Sequence, residues 1–344
     1  MKTLETERLI LRKFRKEDFA AAHRYGSSVE NTVYMLWGPN DEAKTREFIN
    51  FAITKAEEVP CVNYQYAAEL KVNGELIGAC DIILEKDGCA EIGWILRRDY
   101  WKQGYGPEMG GALLDFGFGE LNLRRITAHC DAENYGSYRV MEKIEMRREG
   151  MFLDGRPANK ISSKKYGDEL IYAILKDEWE IRREIAYYNS MPVSFDGFIG
   201  LPELSDGEIY LVCTAKNPGD AGKKLVPGYV FAICRGGEKI GDINLRIGYT
   251  DGLYFGGQIG YGIDEQHRGR GYAGRACRLL LSVAKAYHMQ KLLITNDIAN
   301  TASRRVCEKL GARLIRSARL PEWHDKYKEG RRFQNIFEWN IDCI

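Results

Sequence analysis

A glycine-rich turn in the second half of the chain has the composition of an anion-binding loop. It reads RGRGYA over residues 268–273 and lies between an apolar run, predicted as a strand, and a helical pattern. Small residues let backbone N–H groups approach an anion, and the following helix N-terminus adds a favourable dipole, so pyrophosphate is the natural ligand. The GKS/GKT pattern of nucleotide-binding P-loops is absent from this turn. The alternative is a tight strand-to-helix turn with two solvated arginines.

The surroundings of this turn occur twice in the chain. Residues 100–146 resemble residues 265–312; Gly104 and Gly271 lie 167 positions apart, and Asn134 and Asn300 lie 166 apart. One single-residue insertion or deletion reconciles the two offsets. Agreement at both ends of a block of about 45 residues predicts tandem copies of one domain.

The elements that must position the turns can be predicted from hydrophobic periodicity. In the first copy it predicts strands at 9–14, 64–70, 76–84, 90–96, 125–130, 149–153 and 169–175, and helices within 16–58 and at 109–121 and 135–143. In the second it predicts strands at 229–234, 239–247, 258–263, 291–295, 313–316 and 335–340, and helices at 272–287 and 301–310. This mixture favours an α+β fold with a mostly antiparallel sheet and flanking helices in each copy.

Length and composition set the wider limits. The 344 residues divide into a first domain at 1–180, a linker at 181–206 and a second domain at 207–344, which lacks the helix-rich cap of the first. A net charge of +1 excludes a polybasic nucleic-acid or membrane binder, and no run of about 18 apolar residues predicts a membrane span. The nine scattered cysteines form no metal motif, so we expect a soluble, cytoplasmic protein without a metal.

Taken together, these motifs resemble the GNAT superfamily of acyl-CoA N-acyltransferases. The first copy, with ETERLILRKFRKEDF, AEIGWILRRDYWKQGYGPE, NYGSYRVMEKIEM and DELIYAILKDEW, is similar to the branch that includes ribosomal-protein N-terminal acetyltransferases. The second resembles GNAT domains over its CoA-binding half, and its tail LPEWHDKYKEGRRFQNIFEW resembles uncharacterised bacterial predicted acetyltransferases. The resemblance implies two tandem GNAT domains that use acetyl-CoA and no metal.

The resemblance also implies which residues bind CoA. The two glycine-rich turns would hold the pyrophosphate, the preceding strands would pair with pantetheine amides, and the NxxS segments would contact the pantetheine arm. The residues implied are Ile95, Leu96, Gln103, Gly104, Tyr105, Gly106, Pro107, Glu108, Asn134 and Arg139 in the first copy, and Ile263, Arg268, Gly269, Arg270, Gly271, Tyr272, Ala273 and Asn300 in the second. The first copy departs from the pattern, because Trp101 replaces the leading arginine and Pro107 follows the second glycine.

Attack on the thioester, through a tetrahedral intermediate, requires a base because most amines are protonated at neutral pH. Glu91 falls close to the position where many GNAT enzymes have a glutamate base, and its counterpart in the second copy is Gln258, which cannot accept the proton. Ser137 and Ser303 match the serine that some members use to protonate the departing thiolate, and Tyr138 is an alternative acid. Solvent-exposed and helix-capping roles are the alternatives for Glu91 and the serines.

These observations favour an N-acetyltransferase acting on a primary amine, with catalysis in the first domain. The alternative is a non-catalytic acyl-CoA-binding module, above all for the second domain, with a structural or sensing role. A small-molecule or peptide amine is the expected acceptor; protein N-termini, polyamines, amino acids and aminoglycosides all fit the family. The chain is expected to be a monomeric tandem pseudo-dimer or a homodimer, without nucleic-acid or membrane partners.

Overall fold

The computed structural model describes residues 1–159 and 164–342 and divides into two compact units, Met1–Trp179 and Glu180–Ile344. Each unit is built on its own sheet of mostly antiparallel strands with helices on both faces, which confirms the predicted fold class.

Eight described strands form the sheet of the first unit, in the order β1-β2-β3-β4-β5-β6-β8-β7. Their bounds are β1 Leu4–Glu5, β2 Leu9–Lys13, β3 Asn63–Leu70, β4 Leu76–Leu84, β5 Cys89–Leu96, β6 Arg125–Asp131, β7 Arg147–Pro157 and β8 Tyr166–Leu175. Its helices are α1 Phe19–Gly26, α2 Val29–Thr32, α3 Glu42–Glu57, α4 Tyr105–Gly119 and α5 Tyr135–Lys143. Only β5 and β6 run parallel, because α4 connects them as a crossover.

The second unit repeats this order with seven described strands, β14-β15-β13-β12-β11-β10-β9. Their bounds are β9 Tyr210–Asn217, β10 Gly228–Arg235, β11 Glu238–Arg246, β12 Ile259–Ile263, β13 Lys291–Asp297, β14 Arg313–Arg319 and β15 Phe333–Asn340. The helices are α6 Lys176–Asn189, which spans the division between the units, α7 Asp251–Gly256, α8 Tyr272–Leu279, α9 Leu281–Ala286, α10 Thr301–Leu310 and α11 Asp325–Lys328.

The two faces of the first sheet have separate cores. Alternate residues of β4, β5, β6 and β8, among them Ile82, Ile92 and Ile126, pack against α4 and α5. The opposite face packs part of its area against α1 and α3, through Phe14 and Ala79. We call the surface that α1 and α3 partly cover the cap face.

In the second unit a different set of elements covers the cap face. Instead of helices between β9 and β10 there is one short 3-10 turn, Ala221–Lys223, as the shorter sequence there predicts. The face packs against α7 and the second half of α6, with Tyr188, Phe255 and Leu293 buried together. The predicted linker 181–206 is therefore packed: Ile181 and Ile185 join this cluster, and 195–204 contribute apolar residues to the larger core.

Candidate active site

In each unit the two parallel strands separate after a short stretch of pairing, which leaves an opening between them. In the first unit β5 and β6 pair only from Cys89 to Glu91, and in the second β12 and β13 pair only at Ile259 and Ile294. Beyond those points no strand of the described residues pairs with the inner edge of β5 or β12. Such an edge can pair with the amides of an extended ligand.

Backbone direction decides which residues can use this edge. The Arg97 N–H donates to Ile77 O at 2.8 Å on the β4 side, so the alternation of an antiparallel strand turns the polar groups of Leu96 towards the opening. The polar groups of Ile263 also face the opening, because the N–H of the next residue donates to Ile240 O at 3.0 Å on the β11 side. The carbonyl of Ile95 faces β4 instead, since a Cβ on Gly78 would lie 2.2 Å from Ile95 O. The backbone of Ile95 is therefore poorly placed for a ligand, unlike that of Leu96.

Trp101 and Arg268 make equivalent hydrogen bonds at the ends of these strands. Trp101 Nε1 donates to Leu96 O at 2.8 Å, and Arg268 Nε donates to Ile263 O at 2.9 Å. Asn31 Nδ2, from α2, also donates to Leu96 O at 2.5 Å. The indole thus preserves the hydrogen bond of the arginine but supplies no positive charge to the loop that follows.

The two glycine-rich turns have the same backbone conformation. Gly104 and Gly271 cap α4 and α8 with φ of 87° and 83°, and two positions earlier Lys102 and Gly269 have φ of 61° and 78°. Positive φ at two alternate positions is the conformation that glycine favours, and Lys102 adopts it despite its side chain.

The first turn of each helix leaves backbone donors free for an anion. The first intrahelical bonds run from Glu108 N–H to Gly104 O and from Arg275 N–H to Gly271 O, both at 3.2 Å. The preceding amides have no partner within the helix. In the second unit these include three N–H groups, whereas in the first Pro107 has none to give. Helix α4 begins at Tyr105, four residues before the predicted start, because proline is tolerated in a helix's first turn.

The side chains of the two turns differ in what they offer an anion. Arg268 and Arg270 are exposed and, within the part of the chain that the structure describes, neither forms an ion pair. Tyr272 and Ala273 are buried against the core. In the first unit the Gln103 amide donates to Asp99 O, and a Cβ on Gly106 would lie 2.7 Å from Val140, so Gly106 is required by helix packing.

Arg8 is a component of the first turn that the sequence analysis missed. Its guanidinium lies 4.2 Å from the centre of the Tyr105 ring, donates to Gln103 O at 3.0 Å and pairs with Glu108 at 2.6 Å. The pKa of Glu108 is lowered, since its hydrogen bonds to Thr6 and Arg8 outweigh burial. Because Arg8 is far from the turn in sequence, this contact can be seen only in the folded structure, where β2 lies beside α4.

The NxxS segments form the N-termini of α5 and α10. Asn134 and Asn300 cap these helices by accepting from the N–H of Ser137 and Ser303 at 3.1 and 3.0 Å. The Ser303 hydroxyl also lies 2.9 Å from Tyr261 Oη, whose pKa is raised because its ring is buried. These capping contacts give the asparagines a structural role, whether or not they contact a ligand.

The predicted acids of the first unit lie beside these caps. Tyr138 packs against the core and against Tyr135 with ring centres 5.2 Å apart. Arg139 is half-exposed and pairs with Glu142 at 2.5 Å. Helix α5 lies on the α4 side of the sheet, whereas Glu91 points to the cap face. The predicted base and acids are therefore on opposite sides of the sheet, on the two strands that border the opening.

Glu91 is one of four titratable residues that lie on the cap face of four neighbouring strands. They are Asp81 on β4, Glu91 on β5, His129 on β6 and Glu169 on β8, all partly buried. His129 Nδ1 lies 3.7 Å from Glu169 Oε1, and Asp81 accepts from Gln65 Nε2 at 3.2 Å. We call Asp81, Glu91 and Glu169 the carboxylate row.

Burial changes the acidity of this row. Desolvation raises the pKa of Asp81 to about 6, and the charge of Glu91 adds to the effect. Desolvation also raises the pKa of Glu91; His129 opposes this rise, and Glu85 and Glu169 reinforce it. Carboxylates with raised pKa are stronger bases than carboxylates in water, which suits the removal of a proton from an ammonium group.

In the second unit, each acid of the carboxylate row is replaced by an amide. Strand pairing makes Asn244 the counterpart of Asp81, since both face the same glycine of the next strand, Gly260 and Gly93. It also makes Gln334 the counterpart of Glu169, since their partners are Asp297 and Asp131. Gln258, the counterpart of Glu91, is fully buried, accepts from Leu293 N–H at 2.6 Å and donates to Gly248 O at 3.1 Å.

A cavity of about 360 Å³ lies near the end of β5. Its lining includes Arg24 from α1, Asn31 from α2, and Arg97 and Arg98 after β5. Glu30 and Asp99 also contribute to the lining, so its charge is mixed. The cap helices and the segment that follows β5 therefore share one concave surface in the first unit.

The described residues also bear on metal binding and on membrane insertion. Over 1–159 and 164–342, no group of three or more His, Cys, Asp or Glu side chains has the arrangement of a metal site. No helix in the same ranges has the length and apolar character needed to cross a membrane.

Comparison with known proteins identifies the family. The acetyltransferase (GNAT) domain model matches residues 8–147 and 203–313, one segment in each unit. The uncharacterized N-acetyltransferase YnaD of Bacillus subtilis is 37% identical over 180 residues, which are 51% of this chain and 98% of that protein. The uncharacterized N-acetyltransferase p20 of Bacillus licheniformis is 33% identical over 182 residues, 52% of this chain and 99% of that protein.

A solved GNAT-family acetyltransferase from Bacillus anthracis is 36% identical, with a TM-score of 0.46, and the match covers 52% of this chain and all of that one. The family match over both units and the two relatives show that the chain belongs to the GNAT family and is an acetyltransferase with two tandem domains.

Proposed function

We propose that the first unit transfers an acetyl group from acetyl-CoA to a primary amine by direct attack of that amine, with Glu91 as the general base. The observation that carries this proposal is the carboxylate row beside the opening between β5 and β6, together with its replacement by amides in the second unit. A row of carboxylates also favours an acceptor that carries positive charge when it binds.

The residues present fit CoA. Free first-turn amides and Arg8 at the glycine-rich turn would hold the pyrophosphate, and the inner edge of β5 at Leu96 would pair with the pantetheine amides. When bound, acetyl-CoA supplies the reactive thioester. Glu91 would accept the proton of the ammonium group, and Tyr138 or Ser137 would supply the proton that the thiolate needs.

The second unit has its own candidate function, as a CoA-binding module without catalysis. Its turn has two arginines that form no ion pair with the described residues and three amides that have no partner within the helix, which favours anion binding more strongly than the first turn does. Gln258 is fully buried and occupied by backbone hydrogen bonds, so it has neither the chemistry nor the freedom of a base.

Thiol release from acetyl-CoA, measured over a panel of amines, tests the proposal. The panel contains a peptide with a free N-terminus, a polyamine, an amino acid and an aminoglycoside. We expect turnover with at least one of them, a loss of 100-fold or more in Gly104→Glu, and retained turnover in Gly271→Glu. Each variant places a carboxylate in one turn, and circular dichroism checks folding. The reverse pattern would assign catalysis to the second unit.

A further inference from the structure

Two cationic side chains lie on the cap face of the second unit. Lys326, at the start of α11, donates from Nζ to Thr295 Oγ1 at 3.3 Å and, with the Gln334 amide oriented to satisfy its neighbours, to the Gln334 oxygen at 2.7 Å. Arg246, at the end of β11, donates from Nη1 to Gly257 O at 2.9 Å. A Cβ on Gly257 would lie 3.3 Å from Thr295 Oγ1, so the glycine that Arg246 contacts lies beside the hydroxyl that Lys326 contacts.

These cations have no carboxylate partner among the described residues. Within residues 1–159 and 164–342, neither Arg246 nor Lys326 lies within 4.0 Å of an acidic oxygen. Burial lowers the pKa of Arg246 and, with the charges of Arg331 and Arg246, lowers that of Lys326 to about 8; Glu329 and Asp297 only partly offset this. Two partly buried positive charges without a counterion are unfavourable in the free protein, and an anion would relieve that cost.

A third group on the same face also lacks a partner. Asn244 lies two residues before Arg246 on β11, so both side chains point to the cap face. Its Oδ1 atom is buried and accepts no hydrogen bond from the described residues. A buried acceptor without a donor is rare in native structures, and a ligand N–H or O–H group would satisfy it.

The charges on this face differ from those on the cap face of the first unit. Strand register makes Ile83 the counterpart of Arg246. Ile83 is paired with Glu91, and Arg246 is paired with Gln258, the counterpart of Glu91. The cap face therefore has three carboxylates in the first unit, and three amides with two cations in the second, of which Arg246 replaces an apolar residue. Loss of catalysis alone would explain the amides but not the cations.

We propose that the cap face of the second unit binds a small ligand through a carboxylate or phosphate group held by Arg246 and Lys326, with an N–H or O–H group of the ligand donating to Asn244 Oδ1. The Thr295 hydroxyl accepts from Lys326 and, in the same Gln334 orientation, donates to the Gln334 oxygen at 3.0 Å, so it helps to hold Lys326 in place. The proposal rests on residues of the second unit alone and does not require that unit, or the first, to catalyse acetyl transfer.

Calorimetric titration of the full chain with inorganic phosphate, acetate and glycolate tests this site. We expect binding of phosphate, of glycolate, or of both, and tighter binding of glycolate than of acetate because only glycolate has a hydroxyl group for Asn244. The preferred probe distinguishes a phosphate ligand from a carboxylate ligand. Lys326→Met and Arg246→Met should each weaken binding roughly tenfold or more, since each removes a charge-assisted hydrogen bond.

Two variants distinguish this site from other positive surfaces. Lys328→Met removes an exposed lysine of the same helix and should bind the probe as the unaltered chain does. The double variant Asn244→Asp with Gln334→Glu keeps both cations, supplies counterions that support folding, and should lose binding. Unchanged affinity in Lys326→Met, or loss of binding in Lys328→Met, would overturn the proposal.

Discussion

At the scale of single residues, the two units differ by substitutions that preserve shape and remove charge. Asp81 and Asn244 occupy the same register position, as do Glu169 and Gln334. An amide has nearly the volume of the acid but cannot accept the proton of an ammonium group at neutral pH. The fold is therefore retained while the chemistry of the face changes.

The raised pKa of Asp81 leads to a prediction about stability. The folded state binds the Asp81 proton more tightly than the unfolded state does, so this group lowers the free energy of unfolding as the pH rises from about 4 to about 6. We expect Asp81→Asn to stabilise the first unit by about 1 to 2 kcal/mol at pH 7.5 and to have little such effect at pH 4. Urea unfolding at both pH values measures the difference.

The matched variant for this test is Glu91→Gln. It removes the neighbouring charge and should lower the pKa of Asp81, which carbon NMR of the carboxyl group reports directly. An Asp81 carboxyl group that titrates near pH 4 in the unaltered chain would contradict the environment described for the row.

Only part of this residue-scale picture could be predicted from the sequence. Glu91 and Gln258 lie at a fixed distance from the glycine-rich turns, so their difference can be seen by aligning the repeat. Asp81 and Asn244 could not be matched in this way, because the connection that contains α7 makes the β11 to β12 segment longer than its counterpart. Their equivalence follows from strand register, which local sequence does not specify.

At the scale of elements, the helices that follow the two glycine-rich turns are each held by ion pairs, and the positions of the positive and negative charges are exchanged between the two units. In the first unit Arg8, before β2, pairs with Glu108 of α4. In the second unit Asp206 and Glu208, before β9, pair with Arg275 of α8. Glu108 and Arg275 are equivalent positions, since each closes the first intrahelical bond. The same contact between strand and helix is made with the charges exchanged.

Charge exchange within the first unit tests this equivalence. Arg8→Glu places two carboxylates together and should destabilise the first unit by about 1 to 2 kcal/mol, a modest value because Arg8 is partly exposed. Arg8→Glu combined with Glu108→Arg should recover half or more of that loss. Recovery is incomplete because Glu108 also accepts from Thr6 and from the Arg8 backbone.

A double-mutant cycle of urea unfolding curves measures the coupling between the two positions. Additive effects of the two single changes would show that the pair does not stabilise the turn. Lys2→Glu, which alters an exposed pair with Glu120, is the matched control and should change stability little.

Element boundaries were predicted best where the pattern was long and periodic. The strand at 76–84 and the helices at 135–143 and 301–310 agree with the structure, but the start of α4 does not. Gly104, Gly106 and Pro107 interrupt the helical pattern in the sequence. In the structure, however, Gly104 caps the helix and Gly106 makes a close contact with α5. Pro107 lies in the first turn, where backbone N–H groups have no partner within the helix. Contacts outside the segment decide all three roles.

At the scale of the whole molecule, the chain combines two GNAT domains with unequal sites. The first has the carboxylate row and a turn with one missing backbone donor; the second has amides, two cations and a turn with all its donors. The repeat and the family were evident from sequence motifs. The packing of 181–206 onto the second unit was not, because its apolar residues are irregularly spaced.

The pH dependence of thiol release by the full chain and by Glu91→Gln tests the central claim most directly. The account predicts that Glu91→Gln lowers kcat 100-fold or more, removes the acidic limb of the rate profile and leaves the KM for acetyl-CoA within about threefold. Glu85→Gln, which alters an exposed carboxylate near Glu91, should retain full activity. Undiminished kcat in Glu91→Gln, with the acidic limb intact, would contradict the assignment of the base and of catalysis to this face.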